Sequence, residues 1–295
     1  YPGVSTVSIL DHPFGEHPIS DTHAWEMMHI AEALGHAHES VDILHNHLQF
    51  YPITMRRFVR VPMVTTIHST GLEESEKAVF LRHKDLPYIS ISNDVRKHLP
   101  DLNWVGTVYN GVDFEVFKPA KRVKNYMVYA GRIRPEKGVH HAIALAEKTR
   151  TPLCLAGIIQ PHMEQYFELE IKPHIDGKLV TYLGNLSPKK VQALVAQAKA
   201  YVALNEWEEP FGNAIAEAMA CGTPVIATPK GSHCELIDDK IGGIIVATVD
   251  EAVARFGELG HIDRKKCRET AERRYSLPVI TQSLLAVFEK VLAQT

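Results

Sequence analysis

The chain has 295 residues, 45% of them hydrophobic and 23% charged, with 18 glycines and 17 prolines. This composition excludes a disordered, collagenous or coiled-coil protein, and the length suits two domains rather than one small module. The formal net charge of -3 divides as 9 basic against 15 acidic residues over 1–118 and 23 against 20 over 119–295, whereas a nucleic-acid-binding surface is far more basic. No nucleic acid is expected as a partner.

Short β-branched runs alternate with helical-period segments along the whole chain, the pattern of parallel sheets with crossover helices, so the fold class is α/β. Strands are predicted at Val4–Leu10, Val41–His45, Pro62–Ile67, Tyr88–Ser92 and Val105–Tyr109. Between the first two, Ser20 or Asp21 can cap a helix whose Trp25, Met28 and Leu34 share a core face and which Gly35 stops. Lys118 to Lys124 is polar, basic and without apolar period, and reads as the interdomain linker. The alternation restarts with strands at Tyr126–Ala130, Leu153–Ala156, Leu179–Leu183, Tyr201–Leu204, Val225–Ala227 and Ile244–Val246, and an amphipathic helix over Val279–Leu292 closes the chain. The expected domains are therefore residues 1–118, 119–278 and a closing helix over 279–295.

The longest apolar run, Ile241 to Val249, is interrupted by glycine and threonine and is too short to span a bilayer. No transmembrane segment is expected, while peripheral membrane contact is left open. Cys154, Cys221, Cys234 and Cys267 form no Cys-x-x-Cys pair, the distribution of reduced thiols in a cytoplasmic protein rather than of a disulfide framework or zinc ribbon.

Two segments carry chemistry. Gly131-Arg132-Ile133-Arg134-Pro135-Glu136-Lys137-Gly138 follows a strand and opens a helix. Glycine lets backbone approach a ligand, free N–H groups at a helix start attract an anion, and Arg132 and Lys137 can grip a diphosphate from two sides. Read alone, the segment is equally a surface loop with solvated charges. In the second segment, Glu209-Pro210-Phe211-Gly212-Asn213 precedes Ala-Ile-Ala-Glu217 and Ala-Met-Ala-Cys-Gly-Thr-Pro. A helix starting near Phe211 would present Glu209 at its mouth and Glu217 two turns in on the same face, with the N–H groups of Phe211, Gly212 and Asn213 turned to a phosphate. Two glutamates eight apart are otherwise an ordinary solvated face.

Together with Val64-Thr65-Thr66-Ile67-His68, Tyr109-Asn110-Gly111-Val112-Asp113, Tyr182-Leu183-Gly184 and Gly231-Ser232, these segments resemble the group 1, glycogen-synthase-like retaining glycosyltransferases of glycosyltransferase family 4. The resemblance implies a GT-B fold of two Rossmann-like doubly wound domains. It also implies transfer of a sugar from a nucleotide-diphosphate donor, most often a UDP-sugar, to an acceptor hydroxyl, with no cofactor and no metal. Carried over by position, it gives Arg132 and Lys137 the donor diphosphate, Glu209 the donor sugar, Glu217 the ribose, Gly131, Gly212 and Asn213 backbone contacts to phosphate or sugar, and Leu186 the nucleobase. His68 would face the donor sugar from the first domain. The family's first strand and glycine-rich loop have no counterpart, so the first domain is expected to be incomplete, with a preceding segment or another chain covering its sheet edge. The acceptor is unknown.

Three other readings compete. His45-Asn46-His47 at a strand end has the spacing of metal ligands, but no downstream His or Asp stands in a matching register. A GT-B sugar-nucleotide epimerase would share the architecture, and a non-catalytic nucleotide-sugar binding fragment would bind without turnover.

Overall fold

The computed structural model describes Ser8 and residues 23–294. The chain forms two compact units, the first taking in residues up to 89, 99–106 and those from 286 onward, the second 90–98 and 107–285. Ser8 apart, the predicted strand Val4–Leu10 lies outside the described residues, as does the predicted cap at Ser20 or Asp21.

The N-terminal sheet has four strands, β1 (Leu44–Asn46), β2 (Met63–Ile67), β3 (Tyr88–Ser90) and β4 (Trp104–Thr107), ordered as in the chain. Every residue of β2 is buried, as expected of a strand covered on both faces. Phe80, Tyr88 and Trp104 stack edge to face in its core. The helix before β1 runs His23–Ser40 and so passes through the glycine expected to stop it; nothing lies within 4 Å of a Cβ at Gly35, and the following turn continues the helix. Among its described side chains the buried ones are Ile30 and Ala37, two turns apart, while Met28 is 55% exposed. Of the three residues expected to share a core face, Met28 stands about 200° around the helix from Ile30 and Trp25 about 140°, whereas Leu34 is only about 40° away on the buried side, so the three do not form one face.

The second sheet is parallel and has six strands, β5 (Met127–Ala130), β6 (Leu153–Ala156), β7 (Val180–Tyr182), β8 (Ala200–Ala203), β9 (Val225–Ala227) and β10 (Gly243–Ile245), in the order β10-β9-β8-β5-β6-β7. From β5 the chain winds outward through β6 and β7, then returns to the other side of β5 and winds outward through β8, β9 and β10. The strand order reverses between β5 and β8, and in such sheets the crevice for ligands opens beyond the carboxyl ends of the two strands at the reversal.

Residues 107–118, assigned to the first domain by the sequence pattern, belong to the second unit. Val112 N–H donates to the carbonyl of Tyr275 at 2.8 Å, and the Arg268 guanidinium donates to the carbonyls of Phe117 and Phe114 at 2.6 and 3.0 Å while lying over the Phe114 ring. An arginine satisfying carbonyls some 150 positions away leaves no trace in local periodicity. The closing helix spans Leu277–Leu292, its residues to 285 in the second unit and from 286 in the first.

Gly138 and Gly177 both adopt left-handed backbone, φ +69° and +70°, yet a Cβ at Gly138 would lie 1.9 Å from the Leu204 carbonyl oxygen whereas at Gly177 it meets nothing within 4 Å. Gly177→Ala should therefore cost only the backbone term, about 1 kcal/mol, and Gly138→Ala about 3 kcal/mol or more. Urea unfolding of the two variants measures the difference.

Candidate functional site

The loops that leave β5 and β8 at the reversal meet each other. After β5, Gly131 N–H donates to the Ala156 carbonyl and Ile133 N–H to that of Ile158, and the Ile133 side chain is wholly buried, which fixes the loop. A single 3-10 turn, Pro135–Lys137, then leads through Gly138 into helix Val139–Thr149. The loop after β8 passes Leu204 against Gly138 and reaches Glu209. Lys137 Nζ donates to Glu209 Oε2 at 2.6 Å, Asn205 Nδ2 donates to the same oxygen at 2.8 Å and Trp207 Nε1 at 3.1 Å. The ammonium also lies 4.3 Å from the Trp207 ring centroid. The two charged side chains are only 16% and 15% exposed, so their attraction is screened far less than that of a surface pair. Arg132, by contrast, is exposed and lines the same crevice.

A third segment closes behind Glu209. Ser232 N–H donates to the Glu209 carbonyl and its hydroxyl to that of Phe211, both at 2.9 Å. His233 is fully buried. Its Nδ1 is 2.8 Å from the Thr228 carbonyl oxygen, which can only accept, so Nδ1 carries the proton and Nε2 presents a lone pair. Nε2 has no partner among the described residues, and burial lowers the pKa so that the ring stays neutral. Helix Asn213–Ala220 starts from Gly212, φ +80°, two residues later than the expected start at Phe211. Its first N–H groups have no carbonyl partner within the helix. The Asn213 side chain is held by Asn110 at 2.8 Å.

Two adjoining cavities share Gly131, Arg132, Tyr201 and Ala214. One, of about 330 Å³, is bordered by Lys137, Glu209, Gly212, Asn213 and His233. The other, of about 280 Å³, is bordered by Leu186 and Glu217. Glu209 and Glu217 therefore border neighbouring cavities rather than one common face. Burial pushes the Glu217 carboxyl up to about 7.

Of the nine residues singled out in the sequence, Gly131, Arg132, Lys137, Leu186, Glu209, Gly212, Asn213 and Glu217 line these two cavities; His68 belongs to the first unit. There His68 Nε2 is 2.8 Å from His47 Nδ1, His47 Nε2 is 3.2 Å from His45 Nδ1, and His45 Nε2 is 2.7 Å from the Thr66 hydroxyl. Burial lowers all three histidine pKa values, that of His45 to about 4. The His-Asn-His letters thus form a chain of neutral rings bonded to one another. Asn205, Trp207 and His233 carry no sequence signal, since each earns its place only through a bond or a buried face supplied by a distant loop.

Comparison with known proteins bears on this geometry. The family model for glycosyl transferases group 1 matches residues 113–274. A glycogen synthase of Mycobacterium tuberculosis is 29% identical over 241 residues, covering 72% of the chain and 58% of the relative. A D-inositol 3-phosphate glycosyltransferase of Saccharomonospora viridis is 30% identical over 225 residues, covering 64% and 51%. The chain thus spans somewhat over half the length of these curated relatives. Among solved structures, HepE of Anabaena in complex with UDP matches with a TM-score of 0.76 at 18% identity, covering 88% of this chain and 82% of that one. A sucrose-phosphate synthase from Thermosynechococcus elongatus matches with a TM-score of 0.79 at 17% identity, covering 95% and 81%. These neighbours share the architecture of two Rossmann-like domains, and with the family match spanning both cavity-forming loops, the chain belongs to the group 1 glycosyltransferases.

Proposed function

We propose that the chain carries the donor site of a retaining glycosyltransferase that moves a sugar from a nucleoside diphosphate, UDP first among them, to an acceptor hydroxyl. The observation that carries this reading is the Lys137–Glu209 pair at the strand-order reversal, with Arg132 beside it and a second cavity ending at Glu217. The diphosphate lies across Arg132, Lys137 and the start of helix Asn213–Ala220, where two cations and free N–H groups neutralise charge as the leaving group departs. The nucleoside occupies the Leu186–Glu217 cavity, ribose hydroxyls donating to the Glu217 carboxylate. The sugar occupies the Glu209 cavity, and its hydroxyls find two acceptors there, Glu209 Oε1 and the lone pair of His233 Nε2. His68 takes a donor-sugar contact on the strength of the family resemblance alone.

Because three donors converge on Glu209 Oε2, this carboxylate serves as a hydroxyl acceptor rather than a nucleophile. Retention then follows from same-face substitution. The bond from the sugar carbon to the diphosphate oxygen breaks, the acceptor oxygen bonds to that carbon on the same side, and the acceptor proton passes to the departing phosphate.

Uridine diphosphate in EDTA should stabilise the protein by about 2.7 kcal/mol at 100 times its dissociation constant, read as a rise in melting temperature. The absence of a shift with any nucleoside diphosphate overturns the reading. Binding without turnover of any UDP-sugar, water included as acceptor, favours the non-catalytic fragment, and interconversion of UDP-sugars without transfer favours the epimerase.

The two carboxylates separate by assay. Glu209→Ala should lower the transfer rate by about 10²-fold or more with little change in UDP affinity, whereas Glu217→Ala should weaken UDP binding by about 1.5 to 3 kcal/mol. Isothermal titration with UDP and initial-rate measurements report the two quantities; equal losses of UDP affinity contradict the assignment.

Glu217 also sets a pH dependence. Its folded pKa, about 7, lies above the ordinary 4.5, so its protonated form stabilises the unliganded protein at pH below 4.5, and this contribution, on the order of 3 kcal/mol, is lost as pH rises through about 7. Ribose hydroxyls favour the ionised form, so UDP affinity should increase over the same interval with release of a proton. Glu217→Gln should remove both effects, as seen by urea unfolding and by titration in buffers of different ionisation enthalpy.

A further inference from the structure

Three residues outside the two cavities bring their ligand atoms together. His140 and His141 open helix Val139–Thr149, immediately after Gly138, and Glu206 lies on the loop that follows β8. His140 Nε2 is 3.2 Å and His141 Nε2 2.8 Å from one oxygen, Glu206 Oε1, and the three ligand atoms lie within 4.8 Å of one another, the one such group of His, Cys, Asp or Glu among the described residues. We propose that His140, His141 and Glu206 form a binding site for a zinc-class divalent transition metal, separate from the donor cavities.

The donor set is two imidazoles and one carboxylate, which suits zinc and its neighbours; magnesium and calcium demand a shell of oxygens that this site does not offer. His140 is oriented from behind, its Nδ1 lying 3.1 Å from the Tyr166 hydroxyl, the outer-shell support that fixes a ligating imidazole. The side chains are 35%, 34% and 51% exposed, which gives an ion an entry path and leaves room for water at a fourth position. A cavity of about 520 Å³ opens beside His141 and Glu206.

The position gives such an ion a consequence. His140 follows Lys137 by three residues and Glu206 precedes Glu209 by three, and the Glu206 N–H already donates to the Glu136 carbonyl at 3.0 Å. A bound metal therefore ties together the two loops whose ends form the Lys137–Glu209 pair, and stabilises the folded unit by binding it and not the unfolded chain.

Zinc chloride alone, added to EDTA-stripped and desalted full chain, tests the site without nucleotide or turnover, so its outcome is independent of the proposed reaction. Equilibrium dialysis with metal analysis should find one tightly held zinc per chain, and zinc should raise the melting temperature. His141→Ala and Glu206→Gln should each weaken zinc binding by about tenfold or more while keeping the metal-free melting temperature. His45→Ala, in the other histidine cluster, should leave zinc binding unchanged. No stoichiometric zinc, binding that survives in a His140→Ala/His141→Ala double variant, or displacement of zinc by an equal concentration of magnesium overturns the proposal.

Discussion

The Lys137–Glu209 pair is the constraint around which the second unit is organised. Its two halves come from loops 72 positions apart, and they meet because β5 and β8 are neighbours in the sheet. A largely buried ammonium and carboxylate are tolerable only when bonded to each other and to further polar groups, and removing one leaves the other as an uncompensated charge. Asn205, Trp207 and the Trp207 ring supply those further contacts. The pair thus locks the two loops in register, and the cavities on either side of Arg132 take their shape from it.

Backbone closeness makes that register attainable. Gly138 lets the β5 loop touch the Leu204 carbonyl, and Gly231 lets the segment behind Glu209 lie against its backbone, where a Cβ would come within 2.3 Å of both Glu209 N and O. Ser232 then stitches the contact with two hydrogen bonds. His233 is carried into the interior by this stitching. Its tautomer follows from the Thr228 carbonyl, which leaves a neutral acceptor beside a cation and an anion.

Glu217 illustrates how burial and charge are separated over a short distance. Glu209 has a cation in contact, whereas burial raises the Glu217 carboxyl to about 7. One helix-and-loop segment therefore sets one glutamate against a cation and buries another so that its pKa rises, a division that environment rather than residue type creates.

The strands after residue 125 were legible in the sequence within one or two positions, since buried parallel strands are short β-branched runs whatever they pack against. The glycine-flanked Arg132–Lys137 loop and the Glu209-to-Gly222 segment were legible too, because loop glycines and helix ends are dictated locally. Helix His23–Ser40 was read with a face that only Leu34 shares with the buried Ile30 and Ala37, and with the wrong end, as its amphipathic signal is weak and Gly35 faces open space. The extent of the second unit, the grouping of His140 and His141 with Glu206, and the lone pair of His233 were decided only by tertiary structure. Each depends on a hydrogen bond or an approach between segments far apart in the chain, and such a contact is set by strand order, which local periodicity does not encode.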